Sequence, residues 1–459
     1  MIKDNNDNSN HNFGEFIHNM VQEFYNLYIL KSSKPQKNQW TVISSLILQN
    51  NKKYKIICFA NGTKSLPNIN YKSRKFQIFD CHAEILTLRC FKFFLINALR
   101  FHLDQTNEKN SLNKDEYDLF NSNKEFYDIF QFNEKKKKFV IKNGVKFHLY
   151  ISELPCGECA NISYNNNSQK NIKEMTGSKT LEECLNIINK NNNINININN
   201  YDYKFRTKSI RSDFKINNLS YSLSCTDKIM IRNILGFQGK FLSFLFEPIY
   251  LNSIIINTSL LNTQENIDKF KNCVDYNFRK NIKSDNDINI PEIYFVMHKD
   301  NSDINDKKKN DKNSLPFSAY WYFPNNLKKV DPSNGIKTGG NIKENDKIDF
   351  LRVKICNYDL GENIINFLIN NKDKAFFGKL ISKIEKYILK NKKIDDFYDL
   401  ILPLIDEEYN NNKNNILEQN QEVKSFIGKK RKILKIVSII ISEKILKVIM
   451  ILIYQKFIL

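Results

Sequence analysis

Residues 82–99 form a long, mostly apolar run, and no other feature constrains the fold as strongly. A helix that is apolar on nearly every face must be covered all round, so the rest of the chain has to be arranged about a buried helix here. The neighbouring segments supply the cover. Residues 13–30 have helical spacing, with Phe16, Met20, Phe24 and Leu27 on one face. Residues 40–49 and 55–60 are β-branched and apolar, bounded by Asn and Gly, which predicts strands. Residues 146–152 predict a short strand running straight into Pro155-Cys156, where a helix begins. Residues 219–225 predict a strand followed by a turn and helix over 227–237. Helices alternating with short strands predict an α/β chain with a mixed sheet flanked by helices.

The later part of the chain is more interrupted. Residues 241–253 are apolar and should enter the core, 320–324 and 350–355 read as strands, and 375–390 and 397–409 read as helices. Between these lie charged or low-complexity tracts, near 104–137, 185–200, 262–290 and 298–315, which read as loops inserted into one domain. The tail over 433–459 is apolar and should be helical. Lys435, Glu443, Lys444, Lys447 and Lys456 break it up, and its longest uncharged stretch, 448–455, falls far short of the roughly 18 residues a membrane span requires.

Among 459 residues 41% are hydrophobic, enough for a sizeable core, and the formal charge is +20. An anionic partner such as nucleic acid would match that charge. The lysine-bearing polar tracts at 135–138 and 307–313 equally well serve only to keep loops solvated. The nine cysteines are odd in number and show no secreted framework, and residues 1–12 carry no apolar signal core. A reducing compartment, cytoplasmic or nuclear, is therefore expected.

Two short motifs carry chemistry. His82-Ala83-Glu84 stands at the head of the apolar helix. Histidine is a good zinc ligand, and a carboxylate two positions on can reach the reacting water without ligating the metal. Alone the motif is weak, since a satisfied histidine at a helix start is common. Pro155-Cys156-Gly157-Glu158-Cys159 places a thiol at a second helix start, where the helix dipole favours a thiolate. Alone it reads equally well as a redox pair. Together, and in this order, they match the His-x-Glu and Pro-Cys-x-x-Cys arrangement of zinc nucleobase deaminases.

A third set of residues carries a resemblance. Ser224-Cys225-Thr226-Asp227-Lys228 is followed by Asn233-Ile234-Leu235-Gly236-Phe237-Gln238-Gly239, Leu242-Ser243 and Glu247-Pro248-Ile249-Tyr250-Leu251. With Gly62-Thr63-Lys64, Thr176-Gly177, Arg206-Thr207-Lys208 and Asn334-Gly335-Ile336-Lys337, the chain resembles the A-to-I RNA editase family. That catalytic domain is shared by adenosine deaminases acting on double-stranded RNA and the tRNA-specific adenosine deaminase 1 type. The resemblance covers residues 13–430 outside the inserted tracts. It implies a cytidine-deaminase-like three-layer α/β/α core with a mixed sheet, elaborated by family-specific helices and low-complexity insertions. It also implies deamination of adenosine to inosine in RNA, not DNA.

Carried over residue by residue, the resemblance implies zinc ligands at His82, Cys156 and Cys225, with Glu84 moving protons. Cys159 sits where other deaminases place their second thiolate, so four candidates compete for three protein positions. Cys225 is favoured because its surrounding motif is long, and Cys159 then reads as a small buried residue. The family further implies an inositol hexakisphosphate held by Arg89, Lys228 and Gln238, with Asp80 and Lys208 forming a polar relay to the zinc site. Where the family reads Arg-Trp before Asn233, this chain has Ile231-Arg232. Thr63 and Lys64 match residues that touch the target nucleotide, although a plain turn explains them equally well. The absence of room for a double-stranded-RNA module before Phe13, and the short loop over 206–213, point to the tRNA branch and to the adenosine 3′ of the anticodon in alanine tRNA.

Overall fold

In a half-buried strand alternate side chains point to opposite faces, and here each face meets its own helix. The computed structural model describes residues 8–66, 76–104, 118–119, 121–161, 178–180, 206–209, 219–239, 242–257, 268, 291–296, 313–340 and 348–371. Its main sheet comprises β1 (Ile43–Asn50), β2 (Lys53–Asn61), β3 (Val145–Ile151), β4 (Ser253–Asn257), β5 (Glu292–Val296), β6 (Ser318–Tyr322), β7 (Lys328–Asp331) and β8 (Ile336–Lys337). Their spatial order is β5-β4-β3-β1-β2-β6-β7-β8. β3, β4 and β5 run parallel, and the remaining neighbours pair antiparallel. The sheet is therefore mixed, as the alternating elements predict.

Ile43, Ile47, Phe59, Tyr150, Ile255 and Val296 pack on one face against Ile17 and Val21 of helix α1 (Asn8–Tyr28). Leu46, Leu48, Cys58, Leu149, Ile254 and Ile256 point to the other face, toward α2 (Ala83–Asp104). The parallel strands β4 and β5 are apolar at nearly every position because both their faces are covered. Three layers result. The buried stripe of α1 differs from the expected one: Ile17, Val21 and Phe24 face the sheet, whereas Phe16 is 44% and Leu27 69% exposed. Several apolar residues on one helix permit more than one stripe, and packing against Phe59 and Trp321 selects the one through Phe24.

The run at 82–99 is the buried helix it was expected to be. From Ile85 to Leu99 most side chains of α2 are buried, and Phe91 and Phe94 are fully enclosed. Phe91 meets Phe147 edge to face at 5.0 Å, and truncating such a ring costs about 3–5 kcal/mol. Cover on the side away from the sheet comes from Ile229 and Met230, and from Leu360, Ile364 and Phe367 of a helix over Asn357–Asn370.

Two stretches depart from the sequence reading. Residues 350–355, expected as a strand, instead follow a helical turn at Ile348–Leu351 and lead into the Asn357–Asn370 helix. The β-branched Val353 and Ile355 mimic a strand, but Asp359 gathers Arg352, Lys354 and the Cys356 thiol around its buried carboxylate and bends the chain into a helix start. Within the charged stretch 104–137, a turn of helix at Lys124–Tyr127 and a strand at Phe130–Asn133 bury Tyr127, Ile129 and Phe130 in the core. The expected helices over 375–390 and 397–409, the tail over 433–459, the tract at 185–200 and most of 262–290 and 298–315 lie outside the described residues. Among the described residues no helix is long and apolar enough to cross a membrane.

Candidate metal centre and its polar relay

Two helix starts and the loop after β3 meet at one end of the sheet. His82 precedes α2, and its carbonyl accepts the first bonds of the helix, from Ile85 and Leu86. The backbone of residues 62–64 aligns this start: Gly62 accepts from Ala83 N–H, Lys64 accepts from Cys81 N–H, and Ser318 donates to the Cys81 carbonyl. Gly62 has φ +149°, and a Cβ there would lie 2.1 Å from the Cys81 carbonyl oxygen, so the close approach needs glycine.

Cys225 opens helix α4 (Cys225–Leu235), the short helix α3 (Glu158–Asn161) coming before it in the chain. Ser224 caps α4, its Oγ accepting from Asp227 N–H. That cap starts the helix at Cys225, earlier than the turn expected over 227–237. The Cys156 loop is tied to the same point: Cys225 N–H donates to the Cys156 sulfur at 3.3 Å, and Thr226 bonds the Cys156 carbonyl. Gly157, at φ +118°, permits the contact, since a Cβ there would meet Ser224 Oγ at 2.4 Å.

The outcome is a cluster in which donor atoms of His82, Cys156 and Cys225 all lie within 4.8 Å of one another. Among the described residues it is the one group of this kind. Cys159 is not part of it and packs instead in the apolar core. One imidazole and two thiols suit zinc, with a fourth position left for water. The donors fit such an ion on a second ground. A hydrogen bond from the Cys225 thiol and the charges of Lys208 and His82 hold the Cys156 thiol well below its ordinary range, while burial and the neighbouring Cys156 push Cys225 up. A cation bound between them would favour the thiolate form of both.

Glu84 lies beside the cluster, 2% exposed, and its Oε2 has no hydrogen-bond partner among the described residues. Burial raises its pKa, the charge of His82 working against that rise. A buried, unpaired carboxylate oxygen is costly and is of use to a proton-transfer partner.

Below the cluster Asp80 organises a relay. Lys208 donates to both its oxygens at 2.7 and 2.8 Å and also reaches the Cys225 sulfur at 3.2 Å. Ser222, the His82 backbone N–H and Lys228 donate to the same carboxylate. Burial opposes ionisation of Asp80, but the charges of Lys208 and Lys228 outweigh it and hold the carboxyl well below the usual range. Lys208, 2% exposed, is in turn kept charged against its burial by Asp80 and the cysteines.

Of the other residues singled out in the sequence, Thr63 and Lys64 flank the α2 start and are half-buried. Arg89 donates to the Ile355 carbonyl at 3.1 Å and to Asn357 Oδ1 at 2.8 Å. Gln238 accepts from Ile249 N–H and donates to the Leu235 carbonyl, so its amide braces a turn. Sequence reasoning missed Ser222, which has no motif of its own. It also missed Lys92, which stands one turn beyond Arg89 in the apolar helix and was legible as a charge out of place. Arg232, one turn beyond Lys228, has a buried Nη1 with no hydrogen-bond partner among the described residues.

Comparison with known proteins matches residues 58–388 to the adenosine-deaminase (editase) domain. Similar curated proteins include a double-stranded RNA-specific editase B2 of Mus musculus, 27% identical over 45% of this chain and 25% of that protein. A tRNA-specific adenosine deaminase 1 of Schizosaccharomyces pombe is 26% identical over 48% of this chain and 49% of that protein. Its Saccharomyces cerevisiae counterpart is 26% identical over 48% and 51% respectively. The chain thus spans a quarter to about half the length of these relatives.

Proposed function

The chain belongs to the adenosine-deaminase (editase) domain family, and from that premise we propose that it deaminates adenosine to inosine in RNA, with tRNA as its substrate. One observation carries the reading: His82, Cys156 and Cys225 converge on a point beside the buried, unpartnered carboxylate oxygen of Glu84. Held by those three side chains, zinc supplies the Lewis acidity that makes water a nucleophile at neutral pH. Glu84 accepts the proton that water gives up on adding to C6 of the adenine. It returns that proton to the ring nitrogen and then carries the proton of the new C6 hydroxyl to the amine, which leaves as ammonia as the C6–N bond breaks and the C6 carbonyl forms. Its raised pKa suits a group that must carry a proton at neutral pH. Lys208, fixed by Asp80, holds the Cys225 sulfur in place. Thr63 and Lys64, at the helix start, contact the target nucleotide.

The tRNA assignment rests on the relatives, since those named tRNA-specific adenosine deaminase 1 are covered over about twice the share of their length that the editase B2 is. The adenosine 3′ of the anticodon in alanine tRNA is the site we infer. A second group is part of this reading: an inositol hexakisphosphate near Arg89 and Lys228. Its fit is supported by the cations gathered there and by the unpartnered Arg232 Nη1.

Purified protein incubated with an alanine tRNA transcript should give A-to-G changes at that position on sequencing. Editing of a long RNA duplex but not of the tRNA would move the chain to the other branch. C-to-T changes would make it a cytidine deaminase, and no change with a full complement of zinc would leave an RNA-binding protein.

A further inference from the structure

Trp40 and Phe317 are large apolar side chains that the core does not claim. Both are half-buried, yet neither belongs to either apolar cluster, whereas Trp321, Tyr322 and Phe323, a few residues beyond Phe317, pack against one or the other. The backbone places both beside the start of α2. A two-residue strand, Gln39–Trp40, pairs in parallel with Asn313–Ser314, and Leu315 N–H donates to the Trp40 carbonyl at 2.9 Å. Two residues past Trp40, the Val42 carbonyl accepts from Gly62 N–H at 3.0 Å. One residue past Phe317, Ser318 stands so close that a Cβ added at Gly62 would meet its Oγ at 2.2 Å. The two aromatics therefore flank the Gly62-Thr63-Lys64 turn, whose backbone aligns His82 and Glu84.

Their surroundings are basic. No aspartate or glutamate occurs over residues 24–66 or 313–330, while Lys37 is exposed and Lys64 half-buried. The Lys329 amine lies over the Phe317 ring, 4.3 Å from its centroid, and donates to the Ser32 carbonyl at 3.0 Å. Cations interleaved with aromatic rings, with no acid among them, suit a nucleic-acid strand whose bases are unpaired. Its phosphates meet the cations and its base faces lie on the rings. In a continuous duplex the bases already cover one another, so the same rings find no face to stack on.

We propose that Trp40 and Phe317 form a stacking platform for unpaired bases flanking the target adenosine, with Lys37, Lys64 and Lys329 holding the phosphates of that strand. The platform selects a looped single strand over a continuous duplex. It rests on the reading above that RNA is the substrate, and it adds the residues that tell unpaired from paired RNA.

Binding of two probes to the full chain tests it, since neither depends on deamination: an oligouridylate of about ten nucleotides, and a blunt RNA duplex of the same length. Trp40→Ala and Phe317→Ala should each weaken the oligouridylate about five- to hundredfold, the worth of one stacked base. Both should leave duplex affinity and zinc content unchanged, and Trp40→Phe, which keeps a ring, should recover most of the loss. Lys37→Met and Lys329→Met should each lower the slope of log affinity against log salt by about 0.7 for the single strand. Should Trp40→Ala fail to fold, fluorescence carries the test. Trp40 and Trp321 are the two tryptophans, so in Trp321→Phe the emission of Trp40 should be quenched by the oligouridylate, and an unchanged emission would overturn the stacking. Wild-type affinity for the oligouridylate in both alanine variants, or an equal loss for the duplex, would overturn the platform and leave the deaminase reading intact. A wild-type chain that deaminates no RNA, but loses the single strand on Trp40→Ala, would keep the platform and overturn that reading.

Discussion

Asp80→Asn is the substitution whose consequence the structure defines most sharply. The carboxylate is 5% exposed and accepts from Lys208, Lys228, Ser222 and the His82 backbone. Asparagine keeps the shape and removes the charge. Lys208, 2% exposed, would keep at most one neutral amide oxygen and the Cys225 sulfur at 3.2 Å, and Lys228 would lose its counter-charge as well. Leaving one member of a buried pair uncompensated costs about 3–5 kcal/mol, a large part of the roughly 5–15 kcal/mol that holds a domain together. At roughly 2–4 °C per kcal/mol for a domain of this size, the melting temperature should fall on the order of 10 °C. Urea unfolding at neutral pH measures the effect, and Asp80→Asn combined with Lys208→Met should recover part of it by removing the stranded charge. Because the folded carboxyl titrates below its unfolded value, the stability it contributes is present above about pH 4 and is lost as the pH falls below that. Wild type and Asp80→Asn should therefore converge in acid. A variant within about 1 kcal/mol of wild type at pH 7, well short of the cost of a broken buried pair, would refute the relay as the anchor of the site.

Three further outcomes are expected. Cys225→Ala should lose zinc on metal analysis, whereas Cys159→Ala, altering only a core position, should keep it; the reverse pattern would exchange their roles. Glu84→Gln should retain zinc and bind RNA but deaminate about 10²–10⁴-fold more slowly, because an amide cannot carry the proton; near-normal turnover would mean that another group does. Buried His148 is bonded to Ser253 Oγ and Gln49 Oε1, and burial lowers its pKa to about 4. Its contribution is present above about pH 6.5 and is lost as pH falls from there toward 4, by on the order of 3 kcal/mol. The difference in stability between wild type and His148→Gln should therefore shrink across that window, and a flat difference would show that His148 does not stay neutral in the fold.

Local patterns in the chain determined a good deal by themselves. The all-round apolar character of residues 82–99 required a buried helix, and helices alternating with short apolar strands required a mixed sheet flanked by helices. His82, Glu84 and Cys156 were legible because they sit in motifs whose spacing serves the chemistry, and Cys225 through the longer motif that carries the family resemblance. The tertiary structure decided what no local pattern encodes. The Cys225 and Cys156 loops approach closely enough to exclude a side chain at Gly157, which brings Cys225 into the cluster and leaves Cys159 in the core. Asp359 turned a strand-like stretch at 350–355 into a helix start through charges that meet only on folding. Ser222, Lys92 and Arg232 acquire their significance from partners, or from the want of them, on other segments. Backbone periodicity is read from neighbours in sequence, whereas the energy of a buried charge depends on what lies beside it in space.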